Sequence, residues 1–210
     1  MARSNFLQLV SEHGWRCGFS NLLRMENERW WLTRRWWVQS LVMLLTLNGF
    51  LAYGLWTAEP GELHPEFLAS TLDVFLIWMS ILTVLNVMFI VQDAIVGEKQ
   101  TGVAAWILSG PVSRSAYILS KFIGNAIGLL CTAIVLQGII AYGQLSLKMG
   151  EFVPFLPIAA ALCLQALYVL FYLALVLMLG VFFSSRVPVL AISFAILLVQ
   201  PFIDNFAQRF

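Results

Sequence analysis

The sequence has 210 residues, of which 60% are hydrophobic and 11% charged, with twelve basic and eleven acidic side chains and a mean hydropathy of +0.86. A soluble domain carries about 25% charged residues, so no water-surrounded core hides this much apolar surface and lipid must be the solvent for most of the chain. The net charge of +1 gives no basis for nucleic-acid binding.

Residues 1–35 form a polar arm holding Arg3, Arg16, Arg24, Arg29, Arg34 and Arg35. Phe19, Leu22, Leu23 and Trp30 fall on one face at helical spacing, with Glu26 intruding into the same arc, which predicts a helix lying on the membrane surface. The pairs Trp30–Trp31 and Trp36–Trp37 bracket Arg34–Arg35, a composition suited to the headgroup layer. A simple basic stop that orients the first span reads equally well from these residues. No secretory signal peptide is expected, because the first apolar run starts too late.

The first span is predicted over about Trp36–Trp56, long enough for a hydrocarbon core of ~30 Å. An acidic loop follows with Glu59, Glu62, His64 and Glu66. The second span is predicted over Phe67–Val91, the third over Phe122–Leu145, the fourth over Pro154–Phe183, and a fifth apolar run over Pro188–Ile203. With the N-terminus in the cytoplasm, ten basic residues fall inside and two, Lys148 and Arg209, outside. The positive-inside rule favours that orientation. The expected fold is therefore an all-α polytopic membrane protein: an N-terminal interfacial helix (1–35), then a transmembrane domain (36–210) of five helices.

Gln92–Lys121 is the longest stretch after the arm that does not span, and it concentrates Asp93, Glu98, Lys99, Arg114 and Lys121. The second span is predicted to protrude as a helix to about Gly97, with Glu98–Gly102 breaking it. Val103–Leu108, centred on Trp106, is too short to cross a bilayer and reads as an interfacial or partner-facing helix. Ser109-Gly110-Pro111 stops it, and Ser113 suits the N-cap of a helix feeding the third span. From the residues alone, a mechanical contact for a soluble partner and an inert loop are both open.

Cys131 and Cys163 lie in apolar runs and Cys17 in the arm, without metal or redox spacing, and read as unpaired thiols, the first two as packing groups. Gly124 and Gly128 form a G-x-x-x-G suited to close helix approach in lipid, either within the subunit or between two subunits. Asn48, Asn86, Asn125, Gln137 and Gln165 sit in or at the ends of apolar runs and read as helix–helix bonds. His13 and His64 have no ligand spacing. H-E-x-x-H, G-x-S-x-G and a carboxylate pair within a span are all missing, as is the phosphate-cradling G-x-x-x-x-G-K-[ST] loop; Gly97–Gly102 lacks its glycine approach and its Ser/Thr. No enzyme activity, cofactor or metal site is expected.

The order E-K-x-T-G, a short apolar helix, L-S-x-P-V-S-R, six residues and a lysine resembles the membrane subunits of type-2 ABC exporters. The matching residues are Glu98, Thr101, Gly102, Leu108, Ser109, Pro111, Val112, Ser113, Arg114, Leu119 and Lys121. In two places the pattern differs: Thr101 precedes Gly102 where family members often reverse them, and Gly110 separates Ser109 from Pro111. The arm, with Leu22-Leu23-Arg24 and Glu26, is similar to the family's elbow helix. The resemblance implies an exporter permease for a hydrophobic or amphipathic substrate. Its partners would be a cytoplasmic ABC ATPase that uses ATP and a second permease subunit, in a homo- or heterodimer. The expected setting is the plasma membrane, as a bacterial inner membrane. It places ATPase coupling on Glu98, Lys99, Thr101, Gly102, Trp106, Ser109, Pro111, Ser113, Arg114 and Lys121, with Glu98 contacting the ATPase, Gly102 and Pro111 as hinges, and Lys121 as a headgroup anchor. The family pattern has six spans where five apolar runs are seen, so the last element is truncated, missing or supplied by another polypeptide. A haem-exporter-like subunit and a non-transporting scaffold are the alternative readings.

Overall fold

A backbone crossing lipid must satisfy its own polar groups, and a helix is the simplest segment that does so. The computed structural model describes residues 14–58 and 65–207, and all of its long elements are helices. Arg3, His13, Glu59, Glu62, His64 and Arg209 lie outside the described residues. A short helix α1 (Phe19–Trp31) precedes the first span, which is built from α2 (Arg35–Met43), a π-helical segment Leu44–Asn48 and α3 (Gly49–Thr57). The long α4 (Pro65–Gln100) leads through Thr101–Gly102 into α5 (Val103–Ser109). The next span comprises α6 (Arg114–Leu129), a second π segment Leu130–Val135 and α7 (Leu136–Met149), followed by α8 (Phe155–Phe182) and α9 (Arg186–Ala207).

Among the described residues four helices are long and apolar enough to cross a membrane: Trp36–Thr57, Ala69–Gln100, Arg114–Met149 and Phe155–Phe182. The fifth apolar run is helical too, but its described apolar part, Arg186–Gln200, is shorter than a span. Ala69–Gln100 has 32 residues, roughly 48 Å at 1.5 Å per residue, against a core of ~30 Å. One end of α4 therefore stands clear of the hydrocarbon, as its unbroken helical spacing past Gln92 predicts, and this end carries α5.

The core lies along α4 and α8, the most extensively packed pair of helices. Met79, Val84, Val87 and Val91 on α4 meet Val169, Tyr172, Leu173 and Val176 on α8 in one buried cluster. Large apolar side chains such as Leu45, Tyr53, Ile77, Ile139 and Leu164 point outward from the bundle. So much exposed apolar surface is untenable in water and correct in lipid. Cys131 and Cys163 also face outward, so they do not pack inside the bundle as their apolar surroundings suggest.

The first and third spans are joined by polar side chains. Asn48 Nδ2 donates to Gln137 Oε1 at 2.7 Å, Gln137 Nε2 donates to the carbonyls of Ser40 and Thr132, and Gln39 Nε2 donates to Thr132 Oγ1 at 3.2 Å. Gln137 is 0% exposed. Both spans are π-helical at this level. In the third span the N–H of Leu136 reaches back five residues to Cys131, and the side chain of Gln137 takes up the carbonyl of Thr132 beside it. Gln165 similarly ties α8 to α4 through Ser80 Oγ at 2.6 Å and the carbonyl of Leu76. Asn125 bonds only within its own helix, to the carbonyl of Lys121. Such bonds in membrane proteins contribute ~0.6 kcal/mol on average and at most about 1.7. A double-mutant cycle on Asn48→Ala and Gln137→Ala, read by detergent-induced unfolding, should return a coupling of about 1 kcal/mol; a coupling near zero would mean that the pair does not join the spans.

Candidate functional site

The end of the bundle that carries α5 is assembled around one ammonium group. Lys121, on the second turn of α6, is 2% exposed. Its Nζ lies 2.7 Å from Glu98 Oε1 on α4 and 2.8 Å from Glu26 Oε1 on α1. Arg29 Nη1 reaches Glu98 Oε1 at 3.2 Å, and the hydroxyl of Tyr117 donates to Glu98 Oε2 at 2.7 Å. Two cations and two carboxylates thus neutralise one another, and for Lys121, Glu26 and Glu98 desolvation would make each alone expensive. Glu26, which breaks the apolar stripe of α1, is the residue that stripe needs in order to meet Lys121.

Helix α1 can approach this closely because α6 has no side chains in the way. A Cβ at Gly124 would sit 2.7 Å from Glu26 Cβ, and one at Gly128 would sit 2.1 Å from the Trp30 ring. The G-x-x-x-G face therefore receives α1, not a neighbouring span. Trp30 is buried there, and Leu22 packs with Ala104 of α5 and Tyr117 of α6. The chain ahead of α1 adds a clasp: Ser113 N–H donates to the carbonyl of Cys17, Ser113 Oγ donates to that of Trp15, and Cys17 Sγ donates to that of Pro111.

Around this brace most predicted breaks fall into place, but α4 continues through Glu98, Lys99 and Gln100 and breaks at Thr101–Gly102, not from Glu98 on. Gly102 has φ +76 and opens α5, a left-handed conformation that glycine adopts without strain. Gly110 and Pro111 end it, and Ser113 Oγ caps α6 by accepting from Ala116 N–H at 3.0 Å, as serine does at helix starts. Thr101 and Ser109 turn their hydroxyls back onto the carbonyls of Gly97 and Trp106. Arg114 is exposed. Ala104 and Ile107 face inward onto Leu22 and Tyr117, while Val103 and Leu108 are exposed and Trp106 is 78% exposed.

On the opposite flank of α4, Lys99 does not face solvent. Its Nζ donates to the carbonyls of Gly180, Val181 and Phe183 at 3.0, 2.5 and 3.2 Å, closing the C-terminus of α8 with a cation as its dipole favours. Gln100 Nε2 donates to the carbonyl of Ser184, and Arg186 Nε pairs with Asp93 Oδ1 at 2.6 Å. Of the residues expected to couple, Glu98, Lys99 and Lys121 are thus engaged inside the chain, while Trp106 is exposed together with Thr101, Gly102, Ser109, Pro111 and Arg114 and is the large apolar side chain among them. Tyr117 escaped sequence reasoning, in which Glu26, Arg29 and Asp93 are only charges of the arm and of the central segment, without their partners.

A protein-family model described as ABC-2 family transporter protein matches residues 60–203, more than half of the chain. The chain belongs to the ABC-2 transporter family. No curated protein and no solved structure matches it. The ABC-2 match begins after the first span and runs from α4 into α9, so it contains α5, Glu98, Lys121 and both flanks of α4, and leaves α1 outside. In this ABC-2 membrane protein α1 is attached to the matched region by the Glu26–Lys121 and Arg29–Glu98 pairs.

Removing the central cation leaves Glu26 without its ion-pair partner and Glu98 with Arg29 and Tyr117, and breaking a buried ion pair from one side costs about 3 kcal/mol or more. Lys121→Met, which keeps the stem, should lower the unfolding midpoint in detergent far more than Arg114→Ala, a surface change worth within about 0.5 kcal/mol. Equal effects would remove Lys121 from the centre of the brace. Gly128→Leu should displace α1 and speed tryptic cleavage at Arg24 and Arg29 several-fold; an unchanged cleavage rate would show that α1 docks elsewhere.

Proposed function

We propose that this chain is the permease subunit of an ABC exporter, driven by a separate cytoplasmic ATPase that docks on α5. The observation that carries the reading is the exposed Trp106 on a short helix held between the ends of two spanning helices, in a chain of the ABC-2 family. An exposed tryptophan flanked by Val103 and Leu108 is the composition of an interface anchor. Glu98 and Lys121 serve this contact from behind: they hold α5 against α1 and α6, so that a force on Trp106 moves α4 and α6 together. Gly102 and Pro111 bound the helix on either side as hinges, with Thr101, Ser109, Ser113 and Arg114 shaping the links. Lys99 passes the same displacement to α8.

In this reading residues 1–35 are the cytoplasmic arm, 36–210 the transmembrane domain and 92–121 the coupling segment. The N-terminus is cytoplasmic, as the distribution of basic residues favours, and α9 completes a fifth span. A second permease subunit, identical or not, pairs with this one. The cargo is hydrophobic or amphipathic, the membrane is the plasma membrane of a bacterium, and ATP is bound and hydrolysed by the partner rather than by this chain.

The test is purification of the tagged full chain in mild detergent, scored for co-purifying ATPase and for ATP hydrolysis. Trp106→Ala should reduce the recovered ATPase about tenfold or more, the range of a central interface residue, while leaving the elution profile of the permease unchanged. A well-folded wild type that binds no ABC ATPase would overturn the reading in favour of a membrane scaffold.

A further inference from the structure

The ion pairs at the end that carries α5 use up its carboxylates and leave cations over. Among the described residues there, Glu26 and Glu98 are spent on Lys121, Glu28 on Arg24 and Asp93 on Arg186. Arg16, Arg34 and Arg114 are exposed and pair with none of the described carboxylates. Of the three, Arg114 stands over a groove. It is the first residue of α6, and Arg114, Ile118 and Phe122 recur every four residues, on one face of the helix. Ile118 and Phe122 form a wall of an open groove of about 590 Å³ between α6 and the end of α8, faced by Ala174, Met178 and Phe182. Ser115 is the polar residue of its lining. Helical side chains lean toward the N-terminus, so Arg114 sits above the Ser115 end of the groove.

Exposure along the groove limits what fills it. Ile118, Met178, Val181 and Phe182 are exposed, and such apolar surface is stable against lipid chains and not against water. Hydrocarbon therefore reaches as far as Ile118 on α6 and Phe182, the last residue of α8. From Ile118 to Arg114 is four residues, about 6 Å along the helix. A lipid whose chain lies along Phe122 and Ile118 thus brings its phosphate level with the Ser115 hydroxyl and the Arg114 guanidinium. A guanidinium matches phosphate with paired N–H groups. The ammonium of a zwitterionic head finds no unspent carboxylate here, so charge selects an anionic head. We propose that the α6–α8 groove binds an anionic phospholipid of the leaflet on the α5 side, with an acyl chain in the groove and the phosphate on Arg114 and Ser115. The site requires the bilayer and does not rest on the docking of an ATPase.

The test is native mass spectrometry of the full chain in mild detergent, without any ATPase, titrated with phosphatidylglycerol or with phosphatidylcholine of the same acyl chains. The first phosphatidylglycerol should bind about fivefold or more tightly than the first phosphatidylcholine, the share of one cation beside an anionic head. Arg114→Gln should remove most of that preference and Arg114→Lys should keep most of it. Arg34→Gln removes the same charge at the start of α2, outside the groove, and should leave the preference unchanged. Ala174→Trp, which fills the groove, should weaken both lipids several-fold. The comparison of lipids on wild type stands even where a variant folds poorly. Equal binding of the two lipids, a preference that survives Arg114→Gln, or an equal loss in Arg34→Gln would overturn the proposal. The groove would then be an unselective lipid furrow, with Arg114 left to face a protein partner. Because no ATPase is present, each result is independent of whether α5 docks one.

Discussion

The end of the bundle that carries α5 depends on a single desolvated ammonium. Lys121 has almost no contact with solvent, and its charge is balanced by carboxylates that arrive from two other helices. The charges of Glu26, Glu98 and Lys121 are largely withdrawn from solvent and are tolerable there only when paired, with Arg29 closing the set from its half-exposed edge, so the positions of α1, α4 and α6 are conditional on one another. Loss of α1 would leave Lys121 with Glu98 as its one carboxylate, and a swing of the end of α4 would leave it with Glu26 alone. Helix α5, with about two turns of its own, has too little hydrogen bonding to persist alone. It is held because Ala104 and Ile107 rest on the surface this neutral set keeps together.

The local part of this arrangement was legible in the sequence. Gly102, Gly110-Pro111 and Ser113 are punctuation that acts over a few residues, and the helix boundaries around α5 fall where those residues put them. The pairings were not legible, since they join positions far apart in the chain: Glu26 to Lys121, Lys99 to the end of α8, Asp93 to Arg186. Charge on a loop reads as charge for solvent or a partner, and nothing local says that a helix C-terminus waits for Lys99. The one available hint was negative. Glu26 spoils the apolar arc of α1, and a carboxylate on the inward face of a helix implies a cation opposite. G-x-x-x-G told the same half of a story: it gave a face that can be approached closely, while the partner proved to be α1. The span count differs for another reason, because hydropathy reads a fifth apolar run and the described helix beyond Arg186 is apolar over a shorter length.

Glu98 and Lys99 show how much a one-residue step means on a helix. Adjacent side chains diverge by about 100°, so the pair sends one charge toward α6 and α1 and the other toward α8. The end of α4 is consequently bolted on two flanks, by ion pairs on one and by helix-capping bonds on the other. Close packing supports the second flank, where a Cβ at Gly180 would lie 3.3 Å from Ile95 Cβ, tighter than ordinary contact. A strut fixed on both sides transmits displacement instead of absorbing it.

What can give way lies further along. The first and third spans each contain a π-helical segment, at Leu44–Asn48 and Leu130–Val135, where the hydrogen-bond register is shifted and side-chain amides take up the slack. These bonds are individually weak, and π segments are frequent at functional sites. The third span is continuous with α6, so the helix that carries Lys121 at its stiff end carries Thr132 and Gln137 at its softer middle. A displacement delivered to α6 reaches a rigid, charge-neutral joint first and an exchangeable amide network second. The stiffer part of this helix is thus the end where α5 is held, and the π segment with its amide bonds lies within the membrane-spanning part.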